Sequence, residues 1–174
     1  MDKISVMLTP EEIQTKVAEI GKVISKDYEG KKITAISVLN GAFVFTADLL
    51  RCLDLDVELR FIRAKSYLGT NTSGDVKIAE TEEIDVKDKH VLIIEDIIDS
   101  GLTLQKLKEK FSNLGCASVK MVTFLDKPSR RKVDVTPDYC CYQIEDRFVV
   151  GYGLDYDEKY RQLPFVGVVT PDAN

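Results

Sequence analysis

The chain reads as one α/β domain built on a mostly parallel sheet flanked by helices, and three features carry that prediction. Stretches suited to buried strands alternate with stretches at helical spacing along the 174 residues. One strand, Val91-Leu92-Ile93-Ile94, is continuously aliphatic, as expected of a strand covered on both faces. The first helix marks its own start, with Thr9 as cap, Pro10 in the first position and Glu12 three residues after the cap.

The other elements follow in order. Ile13, Val17, Ile20 and Ile24 fall on one helical face, and Gly30 lies past the end of that helix. A buried strand is expected over 33–39, a tight turn at Asn40-Gly41 and a second helix over 42–53. Residues 57–64 alternate as a strand. The following SYLGTNTSGD, 66–75, is a long loop rich in Gly, Ser, Thr and Asn, which suggests a lid. AETEEIDVKD, 79–88, is acidic and reads as a solvated surface segment. A helix over 102–114 is closed by Gly115, and strands are expected over 119–125, 139–143, 148–150 and 165–169. No repeat, linker or low-complexity tract appears, so residues 1–174 read as a single domain.

Composition narrows the function. Apolar residues make up 44% and charged residues 30%, with a net charge of −5, which gives no support to nucleic-acid or membrane-surface binding. No apolar run approaches the roughly 18 residues that span a bilayer. MDKISVMLTPEE lacks the apolar core of a secretory signal, so a cytoplasmic location is expected. Cys52, Cys116, Cys140 and Cys141 form no C-x-x-C pair, and the adjacent two point to opposite faces of a strand; all are expected as reduced thiols. The one histidine, His90, precedes a buried strand and reads as an edge residue without a catalytic part. It excludes a multi-histidine zinc site and any serine–histidine triad not built on it. Chemistry here falls to carboxylates, lysine, arginine and backbone.

The informative stretch is VLIIEDIIDSGLTL, 91–104. A strand, a glycine turn and a helix make an anion site, because the first helical turn exposes unpaired N–H groups and the positive end of the dipole. Ser100, Gly101, Leu102 and Thr103 supply those amides and two hydroxyls. The chain has no Walker P-loop, and Gly151-Tyr152-Gly153 lacks the third glycine of a dinucleotide fingerprint. Glu95, Asp96 and Asp99 would repel a phosphate unless something stands between. Sugar hydroxyls can donate to carboxylates, and magnesium can bridge carboxylates to phosphate oxygens. The stretch therefore reads as a holder for a phosphorylated ribose. The turn grips phosphate, Glu95 and Asp96 face the hydroxyls, and Asp99 is left near the reacting carbon.

This stretch resembles the phosphoribosyl-diphosphate motif of the type I phosphoribosyltransferases, and its EDIIDSG form resembles the hypoxanthine–guanine branch. VLNGAFVFTADLL, FIRAKSY, LDKPSRR and FVVGYGLDYDEKYR are similar to further segments of that family in its order, from about residue 36 onward. The resemblance implies the type I phosphoribosyltransferase fold, with a small hood and a mobile lid. It also implies transfer of 5-phosphoribosyl from phosphoribosyl diphosphate to N9 of a 6-oxopurine. Glu95 and Asp96 would bind the ribose hydroxyls and, with Asp155 beside the base site, magnesium. Asp99 would lie by N7 as general base or electrostatic partner, and Ser100, Gly101, Leu102 and Thr103 would hold the 5′-phosphate. Lys127 would donate to O6, Phe148 would stack on the base and Val149 would meet its edge through the backbone. Asn40, Gly41 and Arg161 would meet pyrophosphate, and Ser66-Tyr67 would sit on the lid. Asn40 stands where the family often carries lysine. The resemblance further implies a homodimer or homotetramer. A xanthine-preferring relative is the near alternative, and a regulator or a nucleotide-binding module on the same fold the more distant ones.

Overall fold

A computed structural model describes residues 3–66, 76–80 and 84–170. The elements run β1 (Lys3–Leu8), α1 (Pro10–Asp27), β2 (Lys32–Leu39), α2 (Phe43–Arg51), β3 (Asp56–Ser66), β4 (Val76–Glu80) and β5 (His90–Ile98). They continue through α3 (Leu102–Asn113), β6 (Ser118–Asp126), β7 (Tyr139–Gln143), β8 (Val149–Val150) and β9 (Val166–Thr170). The main sheet has the order β4-β3-β2-β5-β6-β7. β3, β2, β5, β6 and β7 are parallel, and only β4 runs antiparallel, against β3. The predicted mostly parallel sheet flanked by helices is therefore found. A separate antiparallel sheet, β1-β9-β8, forms the small hood.

The period-2 alternation of the strands sorts their side chains onto two cores. Ile33 and Ala35 of β2, Leu92 and Ile94 of β5, and Val122 and Phe124 of β6 pack with Ile13, Val17 and Ile24 of α1 and Phe45 and Leu49 of α2. Ile36 and Val38, Val91 and Ile93, and Met121 pack on the other face with Leu104, Leu107 and Phe111 of α3. Both faces of β5 are thus covered, as its aliphatic run requires. The Thr9 cap works as its residues predict: Glu12 N donates to Thr9 Oγ1 at 3.2 Å and Thr9 N to Glu12 Oε2 at 2.8 Å.

Sequence order matters at the centre. From β2 the chain moves outward to β3, then crosses back to place β5 on the other side of β2. This is the switch point of an open α/β sheet, where loops diverge and leave a crevice beyond the strand ends.

Several expectations need correction. β1 was not foreseen, because it is half-exposed and held by pairing with β9 far along the chain, from Lys3↔Thr170 to Leu8↔Val166. The second helix ends at Arg51, short of 53. The acidic 79–88 is not simply a solvated surface segment: its start belongs to β4, and Ile84 and Val86 are buried in the α3 core. The charges there hid an alternating Ile-x-Val pair. DYDEKYR, whose charges alone suggest a helix start, is irregular, with Tyr156 and Lys159 bridged and with positive φ at Asp157, Glu158 and Tyr160. Of the predicted lid pair, Ser66 is the last residue of β3, paired with Val76, and Tyr67 lies outside the described residues.

The cysteines are free, with Cys141 buried and its thiol pushed up by burial to about 12. His90 begins β5, with Nδ1 2.7 Å from Ser118 Oγ, at the sheet's far end from the crevice. No helix is long and apolar enough to cross a membrane among the described residues.

One buried polar pair offers a test of the packing. Ser37 Oγ and Thr46 Oγ1 lie 2.8 Å apart, linking β2 to α2, and both residues are buried. Thr46→Val should cost about 1–3 kcal/mol by leaving the Ser37 hydroxyl unsatisfied, and adding Ser37→Ala should recover part of that loss. Urea denaturation of both single variants and the double variant checks this. A double variant as unstable as the sum of the singles would show that the hydroxyls act independently.

Candidate active site

The crevice at the carboxyl ends of β2 and β5 encloses about 420 Å³. Asn40 and Gly41 line one side, Glu95, Asp96, Asp99, Ser100, Gly101 and Thr103 the floor, and Asp155 and Arg161 the far wall. Ten residues from three separate segments of sequence thus converge on one cavity.

The floor is built by the end of β5. Its four aliphatic residues, 91–94, are fully buried, and the first polar side chains follow where β5 parts from β2 while still paired with β6. Glu95 is 8% exposed, and no cationic side chain pairs with it among the described contacts. Its Oε1 accepts from the Asp96 amide at 3.2 Å, and Asp96 Oδ1 accepts from Ile97 N at 2.8 Å. Burial first, then the charge of Asp96, push the Glu95 carboxyl well above the usual glutamate range. Gly41 approaches so closely that a β-carbon there would overlap the Asp96 carboxylate.

The turn is equally constrained. Gly101 has φ +82°, in the left-handed region. A β-carbon on it would sit 2.5 Å from Val135 Cγ1 and 2.8 Å from Arg131 Cδ, so both conformation and space demand glycine. α3 starts at Leu102, whose amide donates to Ser100 Oγ at 3.3 Å, and Gly101 at the cap position contributes no side-chain acceptor for the amides that follow. Leu102 itself is not among the cavity walls.

Lys127 lies beside the cavity, only 8% exposed, so it is not the surface lysine that its place in a KPSRRK run suggests. Its Nζ stands 3.7 Å from Asp99 Oδ1 and 3.7 Å from Asp146 Oδ1. A donor and an acceptor side by side can read an edge that carries a carbonyl next to an N–H. Phe148 is 51% exposed, with its ring edge-on to Tyr156 at 5.3 Å, and its neighbour Val149 is buried in β8. Neither lines the crevice itself. Arg161 donates to Gly153 O at 2.8 Å and pairs with Asp155 at 3.2 Å and Glu158 at 3.1 Å.

Among the described residues no three or more His, Cys, Asp or Glu side chains converge as a metal cage. Glu95 and Asp96 do fit a hard divalent cation that takes its remaining oxygens from ligand or water, because they are adjacent, oxygen-rich and open to the cavity. Sequence reasoning missed Arg63, which lines the cavity from β3, and Asp126 and Arg131, which support the turn from outside it. The alternation of FIRAKSY, with Ile62 buried, signals Arg63. Nothing in the run SRRK separates Arg131 from its neighbours.

A carboxylate pair, an amide-rich turn and a carboxyl-end crevice on this sheet define a phosphoribosyltransferase. The phosphoribosyl transferase domain family model matches residues 8–157, and the chain belongs to that family. It is 47% identical over 167 residues to the hypoxanthine-guanine phosphoribosyltransferase of Bacillus subtilis, a match covering 95% of this chain and 93% of that protein. The Lactococcus lactis hypoxanthine-guanine phosphoribosyltransferase is 45% identical over 169 residues, covering 97% and 92%. Among solved structures, a Staphylococcus aureus hypoxanthine phosphoribosyltransferase superposes with a TM-score of 0.92 at 40% identity, covering 98% of this chain and 94% of that one.

The raised Glu95 pKa has a sign that can be checked. The folded chain keeps a proton on Glu95 at pH values where the unfolded chain has released it. Stability therefore falls as pH rises out of the ordinary glutamate range. Glu95→Gln should stabilise the protein without added ligand, with the gain over wild type growing from acidic to mildly alkaline pH. Urea midpoints measured across that range test this, and a gain independent of pH would refute it.

Proposed function

We propose that the protein transfers the 5-phosphoribosyl group of phosphoribosyl diphosphate to N9 of hypoxanthine or guanine, giving IMP or GMP and pyrophosphate in purine salvage. The observation that carries this is the convergence of Glu95, Asp96 and the 100–103 turn on one crevice, with Asp99 and Lys127 at its edge. The named activity of the relatives supports it.

The roles follow from the chemistry. Glu95 and Asp96 accept from the ribose 2′ and 3′ hydroxyls, and the turn amides with Ser100 and Thr103 bind the 5′-phosphate. Glu95, Asp96 or Asp155 would hold magnesium, whose charge would offset that of the diphosphate. Arg161 and the Asn40-Gly41 turn hold that leaving group. N9 bonds to C1′ while the C1′–O bond breaks with its electron pair leaving on pyrophosphate, and the N7 proton passes to Asp99. Lys127 donates to O6, which lies on the same edge of the base as N7. This donor–acceptor pair suits a 6-oxopurine and opposes the 6-amino group of adenine. Phe148 stacks on the ring and Val149 meets its edge. On the same reading, Ser66 at the end of β3 and Tyr67 are assigned to a lid that would keep water from the cationic anomeric carbon. The same reading makes residues 1–174 one domain, cytoplasmic and assembled as a homodimer or homotetramer.

Asp99→Asn should lower turnover by about two to four orders of magnitude while leaving mononucleotide binding in place. Steady-state kinetics with calorimetry checks both halves, and unchanged turnover would remove Asp99 from proton transfer. The decisive assay follows pyrophosphate release with magnesium, phosphoribosyl diphosphate and hypoxanthine, guanine, xanthine or adenine in turn. Release with hypoxanthine and guanine is expected, with Lys127→Ala weakening the preference over adenine by about one to two orders of magnitude. Release with no base, or with xanthine alone, would overturn the proposed activity.

A further inference from the structure

Three successive carbonyls of the phosphate-facing turn are tied to one neighbouring segment. Ile98 O accepts from Lys127 N at 2.9 Å, Asp99 O from Arg131 Nη1 at 2.9 Å, and Ser100 O from Lys132 N at 2.9 Å. The middle tie is the only one of the three made by a side chain, and all three nitrogens of that guanidinium donate. Arg131 Nη2 bonds Asp126 Oδ1 at 2.7 Å and Nε bonds Val135 O at 2.8 Å. Asp126 is buried, 2% exposed, at the end of β6, so Arg131 is anchored by a desolvated charge pair before it reaches the turn.

Peptide planarity turns this into an orientation. In a trans peptide the N–H points opposite to the C=O of the same plane. Fixing the carbonyls of Ile98, Asp99 and Ser100 toward residues 127–132 directs the N–H groups of Asp99, Ser100 and Gly101 the other way. Ser100 and Gly101 line the crevice on that side. Gly101 packs directly on Arg131 Cδ and Val135, which leaves no room for the turn to rock back.

We infer that Arg131 is a positioning residue: by holding the Asp99 carbonyl it aims the turn's amide donors at the 5′-phosphate. The inference rests on the proposed phosphoribosyl transfer for the identity of the ligand, but the tethering geometry does not. Arg131 touches no substrate, and its effect is specific to the phosphate end of the site.

The test compares wild type with Arg131→Lys, which keeps a cation beside Asp126 but cannot bridge all three acceptors. Asp126→Asn/Arg131→Gln, which leaves no unpaired buried charge, guards against misfolding. Binding of IMP and of inosine, which differ by the 5′-phosphate, is measured by calorimetry, and hydrogen exchange at the Lys132 amide by NMR without ligand. In both variants IMP affinity should fall at least about tenfold, the worth of a charge-assisted hydrogen bond, with inosine affinity within about twofold of wild type. Exchange at Lys132 should accelerate. Equal losses for IMP and inosine would indicate a general structural role and overturn the inference, as would an unchanged Lys132 exchange rate. Wild type that binds neither ligand would sink the transfer proposal instead, and Lys132 exchange would still decide the tether.

Discussion

The site depends on the parallel pairing of β2 with β5. Because that register runs from Ile33↔His90 to Ser37↔Ile94, the two strands emerge from the sheet side by side. Asn40-Gly41 and Glu95-Asp96 then face one another across a crevice, near enough that only glycine fits at position 41. Covering both faces of β5 with hydrocarbon makes this register unambiguous, since a slip of one residue would exchange the contents of the two cores. The same covering leaves Glu95 in a poorly hydrated place. A buried carboxylate without a cationic partner among the described residues is a destabilising feature, and its retention suits a site whose ligand brings hydroxyl donors.

The site divides into parts with different mechanical support. The proposed sugar and phosphate end is held by strands and by the 127–135 segment, which would preorganise its donors. The end proposed for diphosphate has Arg161, whose guanidinium is held by Gly153 O, Asp155 and Glu158 within an irregular loop. The end proposed for the base combines the buried Lys127 with the exposed Phe148. An exposed aromatic ring braced edge-on by Tyr156 is a surface waiting for a flat partner.

Much of this was legible from residues alone, for physical reasons. Helix α1 could be read because its cap, its Pro10 and its apolar face agree. The turn at 99–103 could be read because hydroxyls, glycine and acids rarely fall together at a strand end without purpose. β1 could not, since a half-exposed strand gains its stability from β9, which lies more than a hundred residues away in the chain. Burial of Ile84 and Val86 was masked by the charges around them, and the burial of Lys127 by its basic neighbours. The DYDEKYR segment carries helical composition, yet Arg161 bonds back to Gly153 O and shapes it as a loop. The roles of Lys127, Phe148, Val149 and Arg161 came from resemblance, because their chemistry appears only when distant segments meet.

The tie between 98–101 and 127–132 also bears on redesign. Anyone seeking to widen base preference would naturally alter the stretch just after Lys127, which looks on paper like a tolerant basic surface loop. Here that loop is tied to the turn proposed to grip the sugar phosphate, so on that proposal changes intended for one end of the nucleotide would be felt at the other. Broadened specificity is better sought around Phe148 and Tyr156, which do not brace the turn.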